Sequence, residues 1–306
     1  MATSGGRYLS QKSLFFSLNN TAVVVTESTP PSVAIYSSIR HQNVDLYQSV
    51  IEPDTTCDNN TFLLIVVISS PRSFQHREVY RRTVLSPVID GTLPDVQYTF
   101  LLGRTAEAKT MATIERESEA YSDVIIGNFS DSYENLTIKS LFMAQWAAEN
   151  CGQATYTYKL DDDVFANIPA ILTYLKKQRR KNTILGSIFR GAKPIRDRSN
   201  KWHVLNYKHK TYPTYASGTS YVLTTSLLQP IFQAGLSIEM IRLEDVFVTG
   251  ICIQQAGVKV KYIQIPGFIY NAHNVDLSKV DLRNNIIIHG LDSDSIQLLW
   301  SRVKLI

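Results

Sequence analysis

The sequence lacks the features that identify several large classes of protein. It has three cysteines in 306 residues and no CxxC pair, which excludes a cysteine zinc site and allows one internal disulfide at most. Its most apolar run, residues 62–68, is far shorter than the roughly 20 residues that cross a bilayer. We find no repeat, low-complexity tract or export signal in the chain as written. With 44% hydrophobic and 19% charged residues, the composition suits one large globular domain or two small ones.

The charge pattern gives no sign of a nucleic-acid partner. The formal net charge is +4, and the one basic block, residues 176–181, ends an amphipathic helical pattern, where cations stabilise a helix C-terminus. We therefore expect no nucleic-acid binding. Four Asn-x-Ser/Thr sequons, at Asn19, Asn59, Asn128 and Asn135, are weak evidence for a secretory compartment.

From about residue 57 the chain alternates between predicted strands and helices. The continuous apolar run at 62–68 is typical of a strand buried on both faces of a parallel sheet. The next predicted elements are strands at 97–102 and 123–126 and helices at 73–85, 107–119 and 136–148. This alternation predicts an α/β fold. Residues 1–56 are rich in Ser, Thr, Asn and Pro, so we expect an irregular N-terminal region with one short strand at 22–25, followed by a single domain at 57–306.

Three adjacent carboxylates, Asp161, Asp162 and Asp163, follow a β-prone run and precede an apolar pair. Burying even part of an aspartate costs several kcal/mol unless a cation or hydrogen bonds compensate it. In an extended segment the first and third would point to one side and the second to the other, which makes a clamp for a hard cation that also holds a diphosphate. The alternative is an acidic turn before a helix that starts near Ile168 with Asn167 as its N-cap, and these residues alone leave the two about equal.

Two further charged pairs are candidates for ligand contacts. Glu244 and Asp245 open an apolar helix that runs to about Ala256, so one acid can face a cleft while the other makes structural contacts. Taken alone, a capping role is the better interpretation of this pair. Arg77 and Arg81 lie four residues apart on a predicted helix after the first strand, which favours a phosphate contact, although a solvated helix face is equally good.

Aromatic residues and a histidine complete the candidates. Trp202 precedes a Pro- and Gly-broken stretch that includes Tyr215 and Gly218 and leads into a strand, and aromatic faces in such loops can stack on sugar rings. Ordinary core aromatics are the commoner explanation. His289 ends an apolar run that we expect to be an edge-like strand, and a histidine there is more often a core or surface residue than a metal ligand.

Six motifs appear together and in one order, and this order resembles the β-1,3-galactosyltransferase family. They are Arg-Glu-Val-Tyr-Arg-Arg-Thr at 77–83, Phe-Leu-Leu-Gly at 100–103, the polar stretch at 123–139, Lys-Leu-Asp-Asp-Asp-Val-Phe-Ala-Asn at 159–167, Tyr-Pro-Thr-Tyr-Ala-Ser-Gly at 212–218 and Glu-Asp-Val at 244–246. The resemblance implies an inverting, metal-dependent enzyme with a GT-A-like α/β fold, in which helices flank a central, mainly parallel sheet. The chain departs from the family at Thr83-Val84-Leu85, where Thr-Trp-Gly is usual.

The resemblance also implies roles for particular residues. Asp163 and His289, rather than His273, would bind Mn²⁺, or alternatively Mg²⁺, and Asp245 would be the catalytic base. The residues implied for the nucleotide sugar are Arg77, Arg81, Asp131, Lys139, Asp161 and Asp162, with Asp161 or Asp162 towards the ribose. Those implied for the acceptor pocket are Trp202, Tyr215, Gly218 and Glu244. A disulfide between Cys57 and Cys151 is implied as well.

The expected function is transfer of galactose from UDP-galactose to the 3-hydroxyl of an acceptor sugar on a glycoprotein or glycolipid. The alternatives are transfer of N-acetylglucosamine from UDP-GlcNAc, a catalytically silent relative that binds nucleotide or glycan, and a metal-dependent phosphohydrolase. Members of the family are membrane-anchored in the Golgi, so the resemblance implies the Golgi lumen and membrane association, although the sequence as written shows no anchor.

Overall fold

The apolar run at 62–68 forms a central strand of an eight-stranded sheet in the computed structural model, which describes residues 43–55, 57–178 and 181–303. The strands, in chain order, are β1 (Ser49–Ile51), β2 (Leu63–Ile68), β3 (Val96–Arg104), β4 (Val124–Ser130), β5 (Tyr156–Asp161), β6 (Val164–Ala166), β7 (Thr183–Phe189), β8 (Tyr215–Thr224), β9 (Lys261–Gln264), β10 (Phe268–Ile269) and β11 (Ile287–His289). The α-helices are α1 (Phe74–Arg82), α2 (Ser86–Ile89), α3 (Ala108–Tyr121), α4 (Leu136–Asn150), α5 (Ile168–Gln178), α6 (Leu228–Ser237), α7 (Glu244–Val246), α8 (Cys252–Gln255) and α9 (Ser293–Val303). Single 3₁₀ turns lie at Val44–Tyr47, Tyr133–Asn135, Thr225–Leu227 and Leu277–Lys279.

The large sheet has the order β1-β4-β3-β2-β5-β8-β7-β9. Strands β4, β3, β2 and β5 are parallel to one another, whereas β1 and β8 pair antiparallel with their neighbours. The fold is therefore the α/β arrangement with a mainly parallel, helix-flanked sheet that the sequence predicts. A second sheet has the order β10-β11-β6, and its strand β6 follows β5 directly in the chain.

Both faces of the large sheet are covered, because alternate residues of β2 enter different cores. Leu63, Ile65 and Val67 pack in the core that also contains residues of α1, α5 and α9. Leu64, Val66 and Ile68 pack in the core formed with α4 and α6. Side chains alternate across a strand, so only a run that is apolar at every position can fill both cores.

One boundary and the position of one strand differ from the sequence-based expectation. The sheet begins before residue 57, because β1 pairs with β4 through Ser49 and Ile51. Three residues with polar neighbours are too short a run for a periodic pattern to reveal. The strand expected at 22–25 lies outside the described residues. The strand that ends at His289 is the middle strand of its sheet, flanked by β10 and β6, and not an edge.

The cysteines follow the pairing that the resemblance implies. Cys57 and Cys151 form a disulfide, which ties the segment before β2 to the end of α4, and Cys252 is a buried free thiol. Within the described ranges, no helix is long and apolar enough to cross a membrane.

Candidate active site

The carboxyl ends of β2 and β5 lie side by side, since Ile68 pairs with Asp161 in the parallel register. The chain then makes a turn at Asp162 and Asp163 before β6 begins at Val164. Crevices at the carboxyl ends of parallel strands are where open α/β sheets bind ligands. We call the five acids Asp161, Asp162, Asp163, Glu244 and Asp245 the acidic mouth.

The three aspartates are not in one extended segment, because β5 ends at Asp161 and the next two form the turn. Asp161 accepts a hydrogen bond from Lys159 Nζ at 2.6 Å. Asp162 Oδ2 accepts one from Ser69 Oγ at 2.6 Å, on β2's side of the turn. Burial raises the pKa of Asp161 to about 6, with Lys159 opposing the shift and Asp163 adding to it. Asp161 and Asp162 therefore have different hydrogen-bond partners. Lys159 offsets only part of the effect that burial and the Asp163 charge have on the pKa of Asp161.

Asp163 lies in the turn before β6, and His289 ends β11. The two meet at the mouth because β6 and β11 pair in the second sheet. His289 Nε2 lies 3.5 Å from Asp163 Oδ2, and His289 Nδ1 is 2.7 Å from the carbonyl oxygen of Tyr270, to which it can donate. Burial lowers the pKa of His289, but the contacts with Asp163 and Tyr270 outweigh this and raise it. The other oxygen, Asp163 Oδ1, is buried without a hydrogen-bond partner.

These two side chains fit a divalent cation as partial ligands. An orphaned buried carboxylate oxygen beside an imidazole held through its other nitrogen is the donor arrangement that metal sites use. In the described part of the chain, no group of three or more His, Cys, Asp or Glu side chains has the spacing of a metal site. A cation here would therefore take its remaining ligands from a substrate or from water.

Asp131 and Lys139 form a buried pair behind the turn. Lys139 Nζ donates to Asp131 Oδ2 and to the carbonyl oxygen of Ser69, both at 2.7 Å, and the Gly103 amide donates to the same Asp131 oxygen at 2.6 Å. Burial lowers the pKa of Lys139, while the nearby Asp131 opposes this shift. The pair links the ends of β2, β3 and α4.

Arg77 and Arg81 do not present free guanidinium groups to a nucleotide. Arg77 is fully buried and binds Glu117 at 2.6 Å, and Arg81 binds Glu117 at 2.8 Å and Asp123 at 2.7 Å. We call these four residues the arginine network. Arg77 also donates to Ser69 Oγ at 3.1 Å, the hydroxyl that holds Asp162. The structure thus assigns Arg77 and Arg81 a supporting position, in place of the phosphate contact expected from sequence.

Glu244 and Asp245 begin α7 and face different partners. Glu244 is buried, accepts from the Tyr221 hydroxyl at 2.8 Å and lies 4.0 Å from Lys159 Nζ. Burial raises the pKa of Glu244 to about 7, and repulsion from Asp245 adds to the shift against the attraction of Lys159.

Asp245 is half-buried and accepts only backbone hydrogen bonds in the described structure. The amides of Gly218 and Val246 donate to its two oxygens at 3.2 and 2.8 Å. Burial raises the pKa of Asp245, against those two amide bonds. Helix α7 continues through a π-helical turn, Phe247–Ile251, in which Thr249 Oγ1 donates to the Asp245 carbonyl.

Gly218 allows this close approach. A Cβ atom at this position would lie 2.8 Å from Glu244 Oε2 and 3.2 Å from the Asp245 Cβ. Lys159 also donates to the Gly218 carbonyl oxygen, so the end of β5, strand β8 and helix α7 meet at one glycine. No side chain could occupy this place without displacing one of the two acids.

The predicted aromatic residues lie in separate surroundings. Tyr215 begins β8 and stacks on Phe189 with ring centroids 5.3 Å apart. Trp202 is exposed and lies next to Lys201, whose Nζ is 4.6 Å from the ring. Sequence reasoning missed Lys159, Ser69, Tyr221, Phe189 and Tyr270. The position of Lys159 two residues before Asp161 on a strand is a signal for it, because the two share a face; the others are brought in by pairing between distant strands.

Comparison with known proteins agrees with this arrangement. The sequence model of a galactosyltransferase family (Galactosyl_T) matches residues 75–264, which is more than half of the chain. Beta-1,3-galactosyltransferase 1 of Mus musculus is 29% identical over 267 residues, which cover 85% of this chain and 79% of the relative. Beta-1,3-galactosyltransferase 2 of Homo sapiens is 30% identical over 275 residues, which cover 86% of this chain and 64% of the relative.

The similarity to solved structures is lower. A glycosyltransferase involved in the glycosylation of the major capsid of PBCV-1 aligns with 79% of this chain at 10% identity and a TM-score of 0.40, too low to support an argument. The family model matches more than half of the chain, and this is sufficient: the chain is a member of the galactosyltransferase family.

Proposed function

We propose that the protein transfers galactose from UDP-galactose to the 3-hydroxyl of an acceptor sugar, with inversion at the anomeric carbon. The observation that carries this proposal is the Asp245 carboxylate, held by two backbone amides at an acidic mouth. Membership of the galactosyltransferase family supports the sugar, and the names of the two relatives support the β-1,3 linkage.

Asp245 is the proposed general base. An inverting transfer needs one carboxylate to take the proton of the acceptor hydroxyl while its oxygen attacks the anomeric carbon from the face opposite the diphosphate. The new C–O bond forms as the bond to UDP breaks, so the proton resides on Asp245 and the negative charge leaves with UDP. Burial raises the pKa of Asp245, which makes the carboxylate a better proton acceptor.

Asp163 and His289 are the proposed protein ligands of a divalent cation, Mn²⁺ or Mg²⁺. The free Asp163 Oδ1 and the 3.5 Å contact of its other oxygen with His289 support this assignment. Such a cation, when bound, would offset negative charge on the diphosphate. Asp161 and Asp162 directly precede Asp163 at the end of β5, and we assign Asp161 or Asp162 to the ribose end of the donor.

The proposed compartment is the Golgi lumen. The disulfide between Cys57 and Cys151 supports an oxidising compartment, because such bonds are rare where thiols are kept reduced. The sequons at Asn59, Asn128 and Asn135 lie at exposed or half-exposed positions and agree with a secretory route.

The experiment that tests this function measures UDP release from UDP-galactose, UDP-GlcNAc and UDP-GalNAc, with Mn²⁺ or with EDTA. Methyl β-glycosides of galactose, GlcNAc and GalNAc serve as acceptors, and NMR of the product gives the linkage. We expect acceptor-stimulated, metal-dependent release with UDP-galactose and a β-1,3 product. Preference for UDP-GlcNAc would replace the donor, UDP binding without turnover would indicate a silent relative, and release of sugar phosphate without acceptor would indicate a phosphohydrolase.

A further inference from the structure

Three aromatic side chains from distant parts of the chain form one exposed cluster near the acidic mouth. Phe189 ends β7, Tyr215 begins β8, and Tyr270 follows β10. The Phe189 ring stacks on Tyr215 at 5.3 Å and an interplanar angle of 16°, and meets the edge of Tyr270 at 6.3 Å and 74°. We call these three residues the aromatic wall.

The wall keeps exposed faces although its rings contact one another. Phe189 is 36% exposed and Tyr270 is 44% exposed. Contiguous exposed apolar surface next to a polar cleft is typical of a ligand contact, whereas single exposed residues need no explanation.

Both ends of the wall reach residues of the proposed reaction. Tyr215 lies three residues before Gly218, whose amide donates to Asp245, and burial together with the Asp245 carboxylate raises the pKa of Tyr215. The carbonyl oxygen of Tyr270 accepts from His289, and the two rings lie 5.7 Å apart. The wall therefore extends from the proposed base to the proposed metal ligand, with Phe189 between its two tyrosines.

This position suits a sugar residue that does not itself react. The C–H face of a pyranose is apolar, and an aromatic plane with its negative face is its natural contact. Rigid aromatic side chains also lose little conformational entropy when they bind. The sugar that carries the attacking hydroxyl must lie against Asp245, which leaves Phe189 for its neighbour along the glycan.

We propose that the aromatic wall binds the second sugar of the acceptor, the residue that bears the reacting sugar. The acceptor is accordingly a glycan of at least two residues. This inference rests on the proposed transfer to a sugar acceptor, and it adds the part of the acceptor that the enzyme selects.

The test compares acceptor length in wild-type protein and in Phe189→Ala. One acceptor is the monosaccharide methyl β-glycoside that reacts fastest. The other is a disaccharide in which the same sugar is β-linked to glucose. For the wild type we expect a KM for the disaccharide about tenfold below that for the monosaccharide. Phe189→Ala should remove this preference and leave kcat and the KM for the donor unchanged.

Two variants separate stacking from a structural role. Phe189→Trp retains an aromatic face and should retain the preference for the disaccharide. Leu298→Ala removes an exposed apolar side chain on α9 and should have no effect. Equal KM values for the two acceptors in the wild type, or an unchanged preference in Phe189→Ala, would overturn the proposal.

Direct binding keeps this test independent of the reaction. Saturation-transfer NMR with the disaccharide and UDP-loaded protein should show contacts that Phe189→Ala loses. If no donor supports transfer but this loss is seen, the proposed function fails and the wall stands as a glycan site. If the disaccharide contacts persist in Phe189→Ala, the aromatic wall is not the sugar-binding site, whichever sugar the enzyme transfers.

Discussion

The arginine network and the acidic mouth are both clusters of buried or half-buried charged residues, but they differ in the balance of positive and negative charge. In the network, two arginines meet two carboxylates at 2.6 to 2.8 Å. In the mouth, the direct cationic contacts of five acids in the described structure are Lys159 and His289. A balanced cluster holds the fold together, whereas an excess of carboxylates can accept a cation and a proton.

We expect substitution of Asp163 to have the largest effect, and to reduce activity without reducing stability. Asp163→Ala takes away the orphaned oxygen and the partner of His289. We expect transfer to fall at least about a thousandfold, because metal-assisted charge stabilisation contributes several kcal/mol. Isothermal titration with UDP and Mn²⁺ should show lost binding, whereas Asp294→Ala, at an exposed acid, should bind normally. Unchanged UDP affinity would remove Asp163 from the site.

Breaking the arginine network should instead reduce stability. Glu117→Gln removes the negative charge that both buried arginines contact. Removing one partner of a buried ion pair lowers the free energy of unfolding by about 3–5 kcal/mol. Urea unfolding measures this loss, and Glu115→Gln, an exposed glutamate on the same helix, is the matched control with little expected change. If Glu117→Gln unfolded like the control while losing UDP affinity, the arginines would belong to the nucleotide site after all.

Gly218→Ala should disturb the mouth without removing a charge. The added Cβ would meet Glu244 Oε2 at 2.8 Å, so the acids must shift. We expect kcat to fall about ten- to a hundredfold, since small displacements of catalytic groups are costly. Affinity for UDP should be retained, because Asp163 is held by another sheet; a loss of UDP binding with normal kcat would contradict the separation of the two halves of the mouth.

A smaller effect is expected in the pH dependence of stability. The pKa of Glu244 rises from an ordinary value of 4.5 to about 7. Between these values the folded protein keeps a proton that the unfolded chain has lost, so the free energy of unfolding falls as pH increases through this window. Chemical unfolding of wild type and Glu244→Gln should give a difference that slopes between pH 4.5 and 7 and is flat above it. A flat difference throughout would mean that Glu244 is ionised over the whole range.

Local pattern was enough to predict most of the fold. Residues 62–68 are apolar at each position because β2 faces two cores, and this pattern can be recognised from the sequence alone. Strand β1 was missed because its three residues show no periodic pattern and are identified as a strand only by their pairing with β4. The expected single helix from Glu244 is interrupted by a π-helical turn, which leaves its apolar pattern unchanged.

The site was predictable only in part, for a similar reason. The acids at 161–163 and 244–245 stand out because charge is unusual beside apolar runs. Whether a charged residue is paired depends on partners far away: Arg77 looked free in sequence, but Glu117 is 40 positions away. Phe189 and Tyr270 carried no motif, and they meet only because the ends of β7 and β10 lie near the start of β8.

The most direct test of the account is Asp245→Asn, measured for transfer and for UDP binding in one preparation. The amide has nearly the shape of the carboxylate but cannot take a proton, and general-base catalysis contributes about 10²–10⁴-fold to rate. We predict a loss of kcat in that range, with Mn²⁺-dependent UDP affinity close to wild type. Transfer at nearly the wild-type rate would contradict the assignment of Asp245 as the base and, with it, the proposed mechanism.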